Sequence, residues 1–464
     1  MKITAHGAAG GEVTGSAYLL QTRNATVLVD CGLFQGARGL ENYNRIPTSG
    51  AFAKLHAVVL THAHLDHTGR LPLLTKAGYN GPIYATPATI DFTDLILRDS
   101  AHLQKADVER KNRRRMRMGQ PLLDPLYEQE HVEQLKPLFV PMAYDKPREV
   151  APGVTVRAVE AGHMLGSVSL ELTIEDESKK KVVIFSGDLG PRGAPLHRDY
   201  VPFQYADFVF MESTYGDHDH RSLIETAVEA REVIKKAISA GGKILVPVFA
   251  VGRTQILLYL LAGAFQRGML TPFPIYIDSP MAISATKLYQ KHTELFDEEA
   301  LAMQKSGELQ ARLQSAKFCQ SAEESRALND TPGPCLIMAG AGMCTGGRIL
   351  HHLRHNLARA STTVIFVGYQ GHGSLGRMLV DGNKVVSIFG EKIPVKASIH
   401  TMGGLSGHAG QSDLMNWLGS FAKSKPHVFL THGEERGRQP LGKLIKERFK
   451  LKVDYPGMRE TIEI

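Results

Sequence analysis

The sequence contains few cysteines and no long apolar run. The four cysteines are Cys31, Cys319, Cys335 and Cys344. They form no Cys-x-x-Cys pair, which argues against a disulfide framework and against a zinc site built on sulfur. No stretch of about 18 apolar residues occurs, and the first residues lead into glycines instead of the apolar core of a signal peptide. We therefore expect a cytoplasmic protein without membrane contact.

The length and the charge limit the class of protein further. A chain of 464 residues is too long for one ordinary core, so two domains, or one domain with a large insert, are expected. Hydrophobic residues make up 43% and charged residues 22%, as in globular proteins. The net charge of +7 is compatible with a polyanionic partner, although many proteins of this charge bind no nucleic acid.

The densest group of metal ligands follows an apolar run, 57–60, that predicts a short buried strand. It contains three imidazoles and one carboxylate: His62, His64, Asp66 and His67. In an extended segment the two first histidines would point to one face. A helix beginning at Leu65 would turn the other two side chains toward a second point. This pattern predicts a site for two metal ions about 3.5–4 Å apart, as in hydrolytic two-metal centres.

Other predicted strands also end at a histidine or an aspartate. They are 26–29 before Asp30, 154–159 before His163, 182–187 before Asp188 and 428–431 before His432. A single histidine after a strand is usually structural, and Asp30 alone could be a simple turn former. The repetition favours one shared site, because ligands are assembled where strand ends meet at the edge of a sheet.

Between Asp188 and His432 the sequence alternates strands with helices. The predicted strands are 208–211, 243–248, 275–278, 335–339 and 363–367. This alternation predicts a parallel sheet that is covered by helices. Before this block, a helix is predicted from residue 88 to about 119, and it ends in a basic run. The run is usually a solvated helix face; the alternative is that Arg113, Arg114 and Arg115 contact phosphates of a nucleic acid.

These motifs together resemble one known superfamily. His62-Ala63-His64-Leu65-Asp66-His67, with His163 and Asp188, resembles the metallo-β-lactamase superfamily. Glu212-Ser213-Thr214-Tyr215-Gly216, Gly252-Arg253-Thr254-Gln255, Ser406-Gly407-His408 and Thr431-His432-Gly433-Glu434 resemble its β-CASP branch of RNA-processing nucleases. The resemblance implies an α/β fold, an αββα sandwich with an inserted β-CASP domain. It places the two parts of the sandwich at 1–208 and 395–464 and the insert at 209–394.

The resemblance also implies a role for each site residue. One zinc ion is expected on His62, His64 and His163, and a second on Asp66, His67 and His432, with Asp188 bridging the two. Asp30 is expected to orient a histidine ligand. The residues expected to take part in catalysis are Asp66, Glu212 and His408, the last two beside the leaving-group oxygen. Ser406 is a candidate for phosphate contact, with turn structure as the alternative.

One position departs from the β-CASP pattern. The branch commonly has an acidic residue two positions after the histidine that matches His408, and this chain has Gly410 there. The support for the orientation and basicity of His408 is therefore an open question. Asp413 is close in sequence, but no pattern shows that it substitutes.

The expected function is hydrolysis of single-stranded RNA by an endonuclease with two Zn²⁺ ions per chain. A 5′-exonuclease of the ribonuclease J kind is the alternative; the few residues after His432 leave no room for its extra C-terminal domain, which favours the endonuclease. A small-molecule hydrolase would leave the large insert unexplained. A non-catalytic RNA-binding subunit is disfavoured because every expected ligand is present. A homodimer is an open alternative, since no sequence feature fixes the oligomeric state.

Overall fold

A computed structural model gives the fold of the chain. It describes residues 1–464 except 37–38, 46–51, 53, 178, 309–310 and 312–315. The first sheet consists of β1 (Lys2–Gly7), β2 (Ala17–Gln21), β3 (Thr26–Val29), β4 (Ala57–Val59), β5 (Ile83–Ala85), β6 (Phe139–Pro141) and β22 (Thr461–Glu463). Its strand order is β22-β1-β2-β3-β4-β5-β6. Because β3, β4, β5 and β6 are parallel, the loops that follow them leave the sheet at one edge.

The second sheet faces the first. It consists of β7 (Arg148–Ala151), β8 (Val154–Glu160), β9 (Val168–Asp176), β10 (Lys179–Phe185), β11 (Phe208–Glu212), β20 (His427–Thr431) and β21 (Val453–Asp454). Its order is β21-β20-β11-β10-β9-β8-β7, and β10, β11 and β20 run parallel. The carboxyl ends of these three central strands therefore lie side by side.

Helices cover the outer face of each of these two sheets. They are α1 (Leu65–Thr68), α2 (Leu71–Lys76), α3 (Pro87–Arg117) and α4 (Gln129–Glu133) on the first sheet, and α12 (Gln411–Gly419) and α13 (Glu435–Phe449) on the second. Between the sheets, Val27 and Val29 pack with Leu170 and Phe185. The layer order is helix, sheet, sheet, helix, so the predicted αββα sandwich is confirmed.

An inserted domain is built on a third, entirely parallel sheet. Its strands are β12 (Lys243–Pro247), β13 (Ile275–Asp278), β14 (Lys317–Phe318), β15 (Cys335–Ala339), β16 (Thr363–Phe366) and β19 (Ser398–Thr401), in the order β14-β13-β15-β12-β16-β19. The helices of this part are α5 (Leu223–Ser239), α6 (Arg253–Gln266), α7 (Pro280–Lys291), α8 (Glu298–Lys305), α9 (Ala322–Asp330), α10 (Ile349–Asn356) and α11 (Leu375–Val380). A hairpin of β17 (Val385–Ile388) and β18 (Glu391–Pro394) completes it.

The third sheet is buried on both faces, as its parallel pairing requires. Ile244 and Val246 of β12 pack on one face, and Leu245 between them packs on the other. The predicted parallel sheet covered by helices is therefore confirmed. The domain boundaries at 208/209 and 394/395 stay a prediction. Strand membership favours positions a few residues later, because β11 belongs to the second sheet and β19 to the third.

One local expectation is corrected. Strand β4 ends at Val59, so His62 and His64 lie in the loop before α1 and do not alternate along a strand. The helix predicted from residue 88 to about 119 is confirmed as α3. Within the described ranges, no helix combines the length and the apolar character needed to cross a membrane.

Candidate active site

The candidate site lies where the strand ends of the two facing sheets meet. His62 and His64 occupy the loop after β4, and Asp66 and His67 follow on the short helix α1. The remaining predicted ligands come directly after β8, β10 and β20: His163, Asp188 and His432. The short connections after these strands therefore bring side chains from distant parts of the sequence to one point.

Two residues that directly follow strands, Asp30 after β3 and His432 after β20, have an uncommon backbone conformation. Asp30 has φ of 58° and His432 has φ of 46°, in the left-handed region that non-glycine residues seldom adopt. Hydrogen bonds hold both turns: the amide of Asp30 donates to Val59, and the amide of His432 donates to Ala8. Such backbone conformations persist only where the surroundings enforce them, and they cluster at functional sites.

The predicted ligands form two groups whose ligand atoms lie within 4.8 Å of one another. One group is His62, His64, His163 and Asp188, and the other is Asp66, His67 and His432. The Asp188 carboxylate lies between them. Its Oδ2 is 3.4 Å from Nε2 of His62, and its Oδ1 is 3.3 Å from Nε2 of His67. Asp188 is thus in position to contact ions in both groups.

Hydrogen bonds at the far ring nitrogens fix how the imidazoles face the site. His67 Nδ1 lies 2.7 Å from Oδ2 of Asp30, and His163 Nδ1 lies 2.7 Å from the Gly407 carbonyl. Because a carboxylate and a carbonyl accept only, both nitrogens carry the proton. In the neutral form of each ring, Nε2 therefore presents a lone pair to the site, as a metal ligand requires. Burial lowers the pKa of His67, but the carboxylates of Asp188 and Asp30 raise it well above its usual value, so a cation that binds there displaces a proton.

Two threonines have the same effect on His62 and His432. The Thr61 hydroxyl donates to Asp30 at 2.8 Å and lies 3.1 Å from His62 Nδ1. The Thr214 hydroxyl donates to the His432 carbonyl and lies 3.1 Å from that ring's Nδ1. Because each hydroxyl already donates its only proton to another oxygen, it accepts a hydrogen bond from Nδ1 of the imidazole. The lone pair of Nε2 is therefore again directed to the site. Sequence reasoning assigned no role to either threonine.

The burial and charge of the cluster fit a divalent cation. Nε2 of His62 and Oδ1 of Asp188 are buried, and neither has a hydrogen-bond partner among the described residues. Burial lowers the pKa of His62, and it lowers that of His64 to about 3, so both imidazoles are neutral. Neutral imidazole and ionised carboxylate are the forms that bind zinc. The residues present therefore fit the metal that the motifs imply.

His408 and Glu212 form a pair beside the ligand cluster. His408 Nδ1 lies 3.2 Å from Oε2 of Glu212 and 4.0 Å from Oδ2 of Asp188. Burial lowers the pKa of His408, but the carboxylates of Glu212 and Asp188 outweigh that effect and raise it to about 9. Glu212 is itself held by the amide of Leu189, which donates to its Oε1 at 2.6 Å.

The cluster is reached from the side of His408. The His408 side chain is 16% exposed and that of Asp66 is 23% exposed, whereas that of His432 is only 6% exposed. Asp188 is 2% exposed and lies at the bottom of the site. A substrate that enters here therefore meets His408 and Asp66 before the deeper ligands.

Comparison with known proteins identifies the fold and the branch. The profile of the metallo-beta-lactamase superfamily matches residues 10–241, and that of the Beta-Casp domain matches 254–379. A third profile, the Zn-dependent metallo-hydrolase RNA specificity domain, matches 392–456. The chain belongs to the β-CASP family. It is therefore a metal-dependent hydrolase of the ribonuclease type, as its motifs predicted.

The similarity to curated relatives extends over nearly the whole chain of this β-CASP protein. Ribonuclease TTHA0252 of Thermus thermophilus is 40% identical over 448 residues, which cover 97% of this chain and 96% of the relative. Transcription termination factor FttA of Pyrococcus abyssi is 30% identical over 474 residues, covering 98% of this chain and 70% of the relative. A crystal structure of an Enterococcus faecalis protein of unknown function has a TM-score of 0.52 at 13% identity, covering 100% of this chain and 99% of the other. The last comparison shows the fold alone.

The departure from the β-CASP pattern at Gly410 has a structural counterpart. A side chain at this position would bring its Cβ to 2.8 Å from Oδ1 of Asp219, so Asp219 occupies the space. Asp219 in turn accepts from the amide of Ser412 at 2.7 Å. Asp413 accepts from the amide of Arg192, and within the described part of the chain no hydrogen bond joins it to His408. Orientation of the β-CASP histidine comes instead from Glu212.

Arg253 of the β-CASP insert secures the loop that carries His408. Its guanidinium donates to the carbonyls of Leu405 and Ser406 and, at 3.4 Å, to that of His163. It therefore ties the His408 loop and the His163 loop to the inserted domain. The Ser406 hydroxyl accepts from the His408 amide at 3.2 Å, which supports the turn alternative for this residue; phosphate contact by Ser406 stays a prediction.

The basic run lies far from the metal ligands. Helix α3 begins beside the site, where Thr86 and Thr89 bind the Gly166 carbonyl. Arg114 is almost at its other end, about 40 Å away at 1.5 Å per residue. Arg113 and Arg114 are exposed, whereas the Arg115 guanidinium is engaged by the Pro121 carbonyl. Contact of this run with RNA stays a prediction, and it concerns a remote surface of the β-CASP protein.

Proposed function

We propose that this chain is a zinc-dependent endoribonuclease that cleaves single-stranded RNA, with two zinc ions bound to the seven predicted ligands. One observation carries the proposal: the Asp188 carboxylate lies between the two ligand groups, 3.4 Å from His62 and 3.3 Å from His67, and Nδ1 of His408 lies 4.0 Å from the same carboxylate. The ligands alone fit hydrolases of many substrates. The adjacent pair, in which His408 is partly exposed and Glu212 is buried behind it, fits a reaction in which an alkoxide leaves.

The ligand groups supply what attack on a phosphodiester requires. When bound here, zinc ions lower the pKa of water toward 7 and neutralise phosphate charge. The chain's own contribution is to fix that arrangement: Asp30 holds the ring of His67, and Gly407 holds the ring of His163. Rings that are held in this way need no reorientation during the reaction.

His408 is assigned to the leaving oxygen. Its Nδ1 is engaged by Glu212, so Nε2 is the atom that can give a proton. The attacking water first loses one proton to solvent. As the oxygen of the resulting hydroxide forms its bond to phosphorus, the bond from phosphorus to the ribose oxygen breaks, and the proton of Nε2 passes to that ribose oxygen. The Glu212 carboxylate stabilises the charged imidazole before the transfer and fixes the orientation of the ring. General acid catalysis of this kind contributes about 10²- to 10⁴-fold in rate.

RNA as the substrate is supported by the matched RNA specificity domain and by the ribonuclease name of the Thermus relative. The net charge of +7 is consistent with a polyanion. Four parts of the proposal rest on the motif resemblance or on the composition alone. They are internal cleavage, the preference for single strands, the homodimer and the cytoplasmic location. Light scattering of the purified protein tests the homodimer.

The test uses one zinc-loaded preparation and matched substrates. We expect an RNA with a blocked 5′ end to be cut into internal fragments, at the same rate as the unblocked RNA. Elemental analysis of the active protein should give two zinc ions per chain. Release of single nucleotides that stops when the 5′ end is blocked would instead assign the 5′-exonuclease. RNA binding without cleavage by the fully loaded protein would assign the non-catalytic alternative. DNA of the same sequence serves as the comparison substrate.

A further inference from the structure

A cavity separate from the candidate active site lies beside the loop that follows Asp30. It has a volume of about 200 Å³ and includes His6, Tyr43, Arg45, Phe52, Arg70 and Arg459 in its lining. Arg70 forms the floor and is 5% exposed, whereas Arg45 and Arg459 are exposed at the rim. No aspartate or glutamate side chain lines it among the described residues. The cavity lining therefore combines three arginines with no carboxylate among the described residues.

The positive charge of this cavity shifts the pKa of groups in its lining. His6 has its pKa lowered to about 4 by burial and by the positive charges of Arg70 and Arg459. Burial also lowers the pKa of Arg70, and Arg459 lowers it further. The Arg70 guanidinium donates to the carbonyls of Gly32, Tyr43 and Gly15, so its hydrogen bonds are satisfied while its charge is not neutralised. An anion in the cavity would relieve this repulsion.

The exposed arginine is held in place by the fold. The Arg459 amide donates to the Ala5 carbonyl on β1, at 2.7 Å. Its guanidinium lies 5.7 Å from the ring centre of Tyr43, which is 39% exposed. A guanidinium that an aromatic ring holds at the protein surface suits a phosphate group, which pairs with it through charge-assisted hydrogen bonds.

Packing contacts lead from the cavity lining toward the segment that carries the ligand His432. Arg70 lies 4.9 Å from the ring centre of Phe34, two residues before Gly36. A Cβ at Gly36 would come within 3.7 Å of the His372 carbonyl of the inserted domain. The His372 amide donates to Glu434, two residues after the ligand His432. These contacts join the cavity lining, through the inserted domain, to the segment that carries His432.

We propose that this arginine-lined cavity binds a phosphate of the RNA substrate outside the cleavage site. This inference rests on the proposed ribonuclease function and adds a second contact for RNAs long enough to reach from the metal ligands to Arg459. Its role is to hold the RNA and to set a preference for longer substrates. It takes no part in bond cleavage.

The test compares Arg459→Gln with Arg326→Gln. Both remove one exposed positive charge, and Arg326 lies on α9 of the inserted domain, outside the cavity lining. We expect Arg459→Gln to bind long single-stranded RNA about fivefold more weakly than the wild type, the upper range for one exposed ion pair. The slope of log affinity against log salt should fall by about 0.7, the value for one phosphate on a single strand. Arg326→Gln should change neither quantity.

Cleavage of a short and a long RNA separates the cavity from the catalytic site. For Arg459→Gln we expect a higher KM on the long RNA, an unchanged kcat, and no change on an RNA too short to leave the cleft. If the wild type cleaves RNA and Arg459→Gln keeps the affinity and the salt slope of the wild type, the cavity proposal is overturned and the ribonuclease function stands. Failure of the wild type to cleave any RNA would overturn the ribonuclease function instead. Inorganic phosphate that binds the wild type and not Arg459→Gln, with RNA affinity unchanged, would assign the cavity to a free anion and overturn the RNA proposal.

Discussion

Replacement of His408 separates proton transfer from metal binding. Its imidazole is 4.0 Å from Asp188 and 3.2 Å from Glu212, so geometry alone allows a ligand role as well as an acid role. We predict that His408→Ala keeps two zinc ions and lowers the cleavage rate by about 10²- to 10⁴-fold, the range for a general acid. This loss corresponds to about 3–5 kcal/mol in the activation free energy.

His408→Gln removes the proton donor but not the partner of Glu212. Glu212 is 1% exposed, and loss of the imidazole in the alanine variant leaves it with fewer hydrogen bonds. A glutamine amide can donate to the carboxylate and cannot act as an acid near neutral pH. Equal loss of activity in both variants therefore indicates proton transfer. Recovery in the glutamine variant would indicate that His408 only neutralises Glu212.

A phosphodiester with a nitrophenolate leaving group completes the assay. This leaving group needs no proton, so the His408 variants should cleave it nearly as fast as the wild type. His218→Ala is the matched control, because His218 is a half-exposed loop histidine that pairs with Asp217; it should behave as the wild type. His432→Ala should lose zinc and activity together, for both substrates. Loss of zinc from His408→Ala, or equal slowness on the activated substrate, would refute the acid role.

Three further predictions concern other parts of the chain. Asp30→Asn should weaken zinc affinity about 10- to 100-fold, because Asp30 fixes the ring of His67; competition with a chelating dye measures this, and unchanged affinity would contradict it. Burial raises the pKa of Glu160 to about 7, so the native state retains a proton that the unfolded state loses and stability falls as pH rises from about 4.5 through 7. Glu160→Gln keeps the acceptor for Gly162 and should therefore gain stability relative to the wild type between pH 5 and pH 8 in urea unfolding; a constant difference would refute the cause. Neutralising Arg113 and Arg114 together should weaken RNA binding and flatten its salt dependence if the basic run meets RNA, whereas an unchanged salt slope would return the run to a solvated helix face.

The predicted ligands come together because each follows a strand that the sequence marks clearly. Apolar runs before Asp188 and His432 predict the strands, and the parallel pairing of β10, β11 and β20 brings their ends to one edge. The first step requires no knowledge of distant contacts, because strand periodicity is a local property of the sequence. The second step pairs β11 with the distant β20, and the alignment of their ends follows once that pairing is given. The position of His62 and His64 was harder to predict, since the loop that follows β4 interrupts the alternation.

The groups that hold the ligands could not be predicted in this way. Thr214 meets His432 across 218 positions of sequence, and the Gly407 carbonyl meets His163 across 244. Arg253 binds carbonyls of two loops that no local pattern connects. Hydrogen bonds of this kind depend on the packing of whole elements, and backbone carbonyls have no signature in the amino-acid sequence. A strand-end histidine indicates a site, and the atoms that set its tautomer become visible only in the fold.

The same reasoning explains how the chain tolerates glycine at position 410. The orientation of His408 depends on Glu212, which is placed by β11 and held by the Leu189 amide, not on a neighbour two positions away. The space beside Gly410 is already taken by the carboxylate of Asp219, so an acidic side chain there would set two carboxylates against each other. A comparison of the sequence with the β-CASP pattern, position by position, finds no acidic residue at 410. The three-dimensional site shows that an acidic group reaches the same space from another segment, and that His408 has its own partner.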